Sequence, residues 1–274
     1  MKKTIVIIGG TGGIGHAAAK TLAQHGNDLI IQGLSAEKGR SIVQELKNDK
    51  GSIAFIPADV SSLVGIKKLA DEVRKLTNKI DALVLSTGAL NSTRRESKDG
   101  YDQGFVINYL NKFILNSLLI EELKRGEGKI IIVGAPVMKK AKINFEDLQL
   151  KNSYTLTTMM GQAMLANFLH AQEFAKRNGT HPSINIVFPG LVKTGITRNL
   201  QGFMKIVINL ILPLIGNSAE KGAANIIDLI EGADENESGY FFPKVANVKV
   251  KEKINYDPLL AERLWEESLR FFKV

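Results

Sequence analysis

The chain has 274 residues, 44% of them hydrophobic and 23% charged, which suits one α/β domain with a sizeable core. It has no Cys, which excludes disulfides, a thiolate nucleophile and Cys-based metal sites; no metal is expected. The net charge of +8 rests on scattered Lys and Arg without interleaved aromatics, so the basic surface is read as solvated, attractive to phosphorylated cofactors or anionic lipids, and not as a nucleic-acid face.

Short apolar runs alternate with longer amphipathic ones. Strands are predicted at 3–8, 28–33, 52–57, 80–86, 129–134 and 184–188, and helices at 13–25, 36–48, 62–76, 99–124, 153–178, 203–214 and 218–231. Continuous apolar strands such as Lys129–Val133 suit a parallel sheet buried on both faces. The alternation predicts a single-domain, doubly wound Rossmann-type sheet with helices on both faces, spanning 1–274. Asp257 and Pro258 mark the N-cap and first position of a last helix. No signal-peptide pattern is read at the N-terminus, and the expected location is the cytoplasm. The longest apolar stretch, 203–215, is interrupted by Lys205, Asn209 and Pro213 and is shorter than the roughly 20 residues of a membrane span.

The first strand, Ile5 to Ile8, runs into Gly9, and Gly13 and Gly15 follow before a helical stretch. Strand, glycine turn and helix present backbone N–H groups and a positive helix end to a pyrophosphate. Gly9, Thr11, Gly13, Ile14 and Gly15 are therefore candidate cofactor contacts. At the end of the second strand an acid selects NAD and a base NADP. Here Gly33 and Leu34 stand there, uncharged, and Ser35, Lys38 and Arg40 are in reach of a 2′-phosphate. That favours NADP, with NAD left open, since Lys38 and Arg40 also fit the exposed face of the next helix. Asp59 and Val60 follow the third strand, where a carboxylate can accept from an adenine amino group or cap a helix. Gly88 lets the backbone approach a cofactor closely. Asn108, in mid-helix, has poor helix propensity and is costly to bury unpaired, which marks it as a site residue or a satisfied structural one.

Taken together, these stretches resemble the short-chain dehydrogenase/reductase family, and within it the retinol-dehydrogenase-like branch. Ile8–Gly15 resembles the family's TGxxxGxG with Ile8 for Thr. Ala58–Val60 resembles its adenine motif, Leu85–Gly88 its NNAG with only the glycine kept, and the helix around Asn108 the one that carries its catalytic Asn. Phe188–Ile196 resembles its PG element. The resemblance implies that Pro189, Gly190 and Val192 contact the cofactor and that Thr194 meets the nicotinamide carboxamide.

The same resemblance exposes three departures. Aligning Met160–Ala175 with the branch's YSQSKLAN segment puts Met160 at its Tyr and Met164 at its Lys, and the family's Ser falls on Ala135. Only Asn108 remains of the four. Tyr154 is an alternative acid, with Tyr109, Lys139 and Lys140 near in sequence. Without the Tyr whose pKa a Lys lowers, simple carbonyl reduction loses its proton source. Two readings follow: an oxidoreductase for a small, apolar, already activated acceptor, an iminium or a polarised C=C; or a catalytically silent NAD(P)-binding member that acts as a partner subunit or sensor. A homo-oligomer fits either. The segment 195–217 is expected to cover the substrate, and its apolar bias also suits a partner surface or a peripheral membrane contact.

Overall fold

The computed structural model describes residues 2–192, 197, 199–201, 216–232, 237–243 and 250–273. Six strands lie where the apolar runs place them: β1 (Thr4–Ile8), β2 (Asp28–Gly33), β3 (Ile53–Pro57), β4 (Ala82–Leu85), β5 (Lys129–Val133) and β6 (Ser183–Val187). Two short ones were not expected, β7 (Tyr240–Phe242) and β8 (Glu252–Lys253). At three and two residues they are too short to show a period. The sheet order is β3-β2-β1-β4-β5-β6-β7-β8, parallel throughout except for the β7–β8 pair. The reversal of winding beside β1 opens a crevice beyond the carboxyl ends of β1 and β4, the place where such sheets bind ligands.

Helices cover both faces. α1 (Gly13–Gln24), α2 (Ala36–Leu46) and α8 (Ala219–Glu231) pack on one, around Ile5, Ile7, Leu22, Ile31 and Ile226. On the other lie α3 (Leu63–Leu76), α4 (Gln103–Phe105), α5 (Asn111–Leu118), α6 (Ile120–Arg125), α7 (Leu156–Asn178) and α9 (Pro258–Leu269), around Val6, Leu69, Phe113, Leu169 and Leu264. Successive β1 side chains alternate between these two cores, which is why the strand is apolar at each position from Ile5 to Ile8. As read from the sequence, Asp257 caps α9 by accepting from the Leu259 N–H (2.9 Å), with Pro258 at the first position.

The predicted helix 99–124 is corrected by the structure. Asp102 caps α4, and Val106–Leu110 then winds as one π turn before α5. A further break falls at Leu119, before α6. A π turn leaves a carbonyl without its usual helical donor, and such turns recur at functional sites. Asn108 lies inside it. The helix predicted at 203–214 lies outside the described residues, as does most of the 195–217 segment. Among the described residues no helix is long and apolar enough to cross a membrane.

Candidate active site

The crevice is a cleft of about 1070 Å³, at the upper end of the usual range for a ligand site. At its first turn it is lined by Gly9, Thr11, Gly13 and Ile14. Gly9 and Gly13 have φ of 82° and 54°, the left-handed region that side chains resist. α1 opens behind Gly12, which offers no side-chain cap. By contrast, α2, α3, α7, α8 and α9 are each capped by a Ser, Thr or Asp oxygen. The free N–H groups of the first turn of α1 thus face the cleft, which suits a pyrophosphate.

Gly15 does not line the cleft. A Cβ there would come within 2.5 Å of both the Gly9 carbonyl oxygen and Ser86 Oγ, so this glycine lets α1 seat against β1 and β4. Gln32, unremarked in the sequence, braces the same loop. Its Oε1 accepts from Gly9 N–H (2.9 Å), its Nε2 donates to the Ala58 carbonyl (2.6 Å), and its own carbonyl accepts from Gly10 N–H (3.0 Å). A buried Gln at the end of an apolar strand was the available signal.

Leu34, 70% exposed, and Lys38 line the cleft beyond β2. A Cβ on Gly33 would meet Thr11 Cγ2 at 2.2 Å, so no acidic side chain fits there without moving the glycine loop. The Lys38 ammonium lies 3.5 Å from where a Cβ on Gly12 would be, over that loop. Ser35 caps α2 by accepting from Lys38 N–H (3.2 Å); neither it nor the exposed Arg40 lines the cleft. Asp59 and Val60 line it, and Asp59 Oδ1 accepts from the N–H (3.0 Å) and hydroxyl (2.6 Å) of Ser61. Gly88, Pro189, Gly190 and Val192 complete this wall, whereas Thr194 lies outside the described residues.

At the other end Asn108, Ala135, Met160 and Met164 come together around the cleft. Asn108 is 6% exposed, and its amide is well used. Nδ2 donates to the carbonyls of Ala89 (2.8 Å) and Gly104 (2.8 Å), and Oδ1 accepts from Ala89 N–H (3.2 Å). This reciprocal pair fixes the turn after β4. Its backbone carbonyl, freed by the π turn, accepts from Asn167 Nδ2 on α7 (2.9 Å). Asn108 therefore braces the site, and its side chain makes no ionising contribution.

The alternative acids are displaced from the cleft. Tyr154 does not line it: its hydroxyl donates to the Asn91 carbonyl (2.8 Å), and burial, with Asp102 adding to it, pushes the phenol up to about 12. Tyr109 is fully buried against Ser268 (2.7 Å), with its pKa raised by burial. Lys139 and Lys140 are exposed and away from the cleft. Two cations that the sequence reading did not single out do line it, Arg95 and Lys112. Lys112 is 3% exposed, and burial alone pulls its pKa down to about 7. Its position one turn past Asn108 was the available signal, masked by an apolar helix that hides which face is which.

Residues 3–204 match the short chain dehydrogenase family. The chain belongs to that family. Among its relatives are human polyprenol dehydrogenase, 26% identical over 97% of this chain and 84% of the relative, and mouse retinol dehydrogenase 12, 30% identical over 97% of this chain and 85% of the relative. An alcohol dehydrogenase from the archaeon Thermococcus sibiricus, solved with 5-hydroxy-NADP, shares the fold at a TM-score of 0.67, with 18% identity over 86% of this chain and 93% of that one. As a short-chain dehydrogenase the protein is an NAD(P)-dependent oxidoreductase by family, and its residues fit the cofactor: an uncapped helix start, glycines whose side-chain space is taken, and a lysine over the loop. The dinucleotide supplies or accepts a hydride when bound. Ala135, Met160 and Met164 at the far end hold no proton to exchange.

Proposed function

We propose that this short-chain dehydrogenase transfers hydride between NADP, or NAD, and an apolar acceptor that is already activated, a polarised C=C or an iminium. The observation that carries the proposal is the pairing, in one cleft, of an intact dinucleotide cradle with an end walled by Met160, Met164 and Ala135. Methionine gives no proton, so an alkoxide forming from a simple carbonyl has no donor at Met160 or Met164, whereas an activated acceptor has a lower barrier to hydride. Relatives named for polyprenol and retinol match nearly the whole chain, which supports a greasy, isoprenoid-like partner. Lys38 over the glycine loop supports NADP.

A second reading rests on the same methionines: a member that binds NAD(P) without turnover and serves as a paired subunit or sensor. Absence of Cys suits a reducing cytoplasm, and the basic surface with the apolar 203–215 stretch suits contact with an anionic membrane surface. Calorimetry with NADP and NAD, followed by a turnover screen of conjugated aldehydes, cyclic iminium ions and simple aldehydes, tests the proposal. Binding with turnover confined to the activated classes supports it. Binding with no turnover in any class supports the silent reading, and no binding at millimolar cofactor refutes both.

A further inference from the structure

We propose that Lys112 is the catalytic acid of this cleft, an ammonium that enters from α5 and delivers the proton that Met160 and Met164 cannot. The inference rests on the oxidoreductase reading above and narrows its acceptor to a polarised C=C, because reduction of an iminium needs no proton.

Four titratable or charged side chains line the cleft among the described residues: Lys38, Asp59, Arg95 and Lys112. Lys38 and Asp59 stand beyond β2 and β3, at the dinucleotide end. A guanidinium does not serve as a proton donor, which sets Arg95 aside. That leaves Lys112 with Asn108, Met160 and Met164 at the far end. It is almost wholly buried, yet among the described residues neither a hydrogen bond nor a charge partner contributes to its state; burial alone does.

The surroundings explain this. From α7 the cleft wall presents Met160, Ala163, Met164 and Asn167. One turn further along, His170 bonds Asn116 (2.9 Å) and is kept neutral by burial, with its pKa pulled down to about 3. The charged groups of α3 and α6 are engaged elsewhere: Arg74 with Asp71, Glu122 and the Leu118 carbonyl, Lys75 with Glu72, and Glu122 with Arg125. Lys67 reaches toward the Phe272 carbonyl and the neighbouring Lys68 is exposed. None of them acts on Lys112. A buried, unpartnered ammonium is costly to keep. Its pKa near neutrality is what a proton donor at neutral pH requires.

Hydride from the reduced dinucleotide forms a C–H bond at the β-carbon of a conjugated acceptor, and the C=C pair moves to the α-carbon. There it takes a proton from Lys112 as the Nζ–H bond breaks. The acceptor gains two electrons and two hydrogens, the dinucleotide is left oxidised, and the neutral amine recovers its proton from water.

Competitive acetylation of the whole protein with acetic anhydride across pH 5–10, read residue by residue by mass spectrometry, tests the assignment. The expected midpoint for Lys112 is near 7, and saturating NADPH suppresses Lys112 labelling. Lys112→Met should bind NADPH as tightly as the parent and melt at a higher temperature at neutral pH. The sign follows from linkage: the folded pKa lies below the unfolded 10.5, so the parent's stability falls as pH drops from about 10.5 to 7, and the variant escapes that loss. With citral, a conjugated isoprenoid aldehyde, turnover should fall about 10²–10⁴-fold in Lys112→Met. Lys112→Arg, charged but unable to release a proton, should not restore it. A midpoint near 10, labelling unaffected by NADPH, equal turnover in Lys112→Met, or loss of NADPH affinity in that variant each overturns the assignment. Loss of affinity would make Lys112 a cofactor anchor instead. If the parent itself fails to bind NADPH, the oxidoreductase reading fails first, and the two failures are told apart.

Discussion

The two ends of the cleft are made of different material. The dinucleotide end is built from backbone: glycines at positive φ, an uncapped helix start, and the carbonyls and N–H groups that Gln32 ties together. The acceptor end is built from side chains borne on the π turn, α5, α7 and the turn after β5: Asn108, Lys112, Ala135, Met160 and Met164. A backbone cradle survives most changes of side chain, because its geometry is set by the strand–turn–helix path. A side-chain site can exchange its chemistry one residue at a time while the sheet beneath it stays the same. This is how a chain can keep the family's fold and cofactor end with methionines at the other.

Tests of that contrast range from large effects to small. Replacing Ala135 with Ser, Met160 with Tyr and Met164 with Lys together should raise reduction of a simple aldehyde about 10²–10⁴-fold, measured as cofactor absorbance loss, while each change alone does little because such residues act as a unit. A single restoration with the full gain would show that the far end is not a cooperative side-chain site. At the backbone end, Gly13→Val puts a branched residue at a φ of 54°. NADP affinity by calorimetry should weaken about a hundredfold or more, roughly 2.7 kcal/mol, with thermal stability little changed. Unchanged affinity would mean the loop is not the cradle.

Asn108→Ala bridges the two ends, since it removes the brace on the turn after β4. Unpairing the Ala89 amide and the Ala89 and Gly104 carbonyls should cost about 2–4 kcal/mol in denaturant melts. A cost below 1 kcal/mol would mean water replaces the side chain. Lys38→Ala should lower the preference for NADP over NAD about tenfold at low salt, and added salt should shrink that difference, because exposed charges are screened. No salt dependence would remove Lys38 from phosphate recognition. The smallest effect is expected of Tyr154→Phe. Its hydroxyl serves the Asn91 carbonyl outside the cleft, so turnover should stay within about twofold while stability drops by about 1 kcal/mol. A large loss of turnover would return this tyrosine to the site.

Legibility follows the same division. The six long strands, the glycine turn and the Asp257–Pro258 helix start were readable because each is decided within a window of a few residues. The π turn at Val106–Leu110 was not, because a local apolar run reads as continuous helix. It is held from outside, by Asn167, 59 residues away along the chain. That Gly33 carries no charge is plain in the sequence, but the reason, the methyl of Thr11 occupying the space of a side chain, belongs to the packed loop. Tyr154 stands near the site along the chain, but proximity along the chain does not turn it toward the cleft.

The amino-acid sequence by itself determined the alternation of strands and helices, the glycine-built cradle and the absence of an acid at the end of β2. These rest on local backbone preference and on residue types that are present or missing. Tertiary structure alone decided which polar groups meet. It spends the amide of Asn108 on the Ala89 turn, makes Gln32 the brace of the glycine loop and leaves Lys112 buried, facing the cleft and without a partner among the described residues. The reason is physical: the cost or use of a buried polar group depends on partners supplied by distant elements, and a lysine in an apolar helix keeps its ordinary pKa until the sheet and α7 close around it.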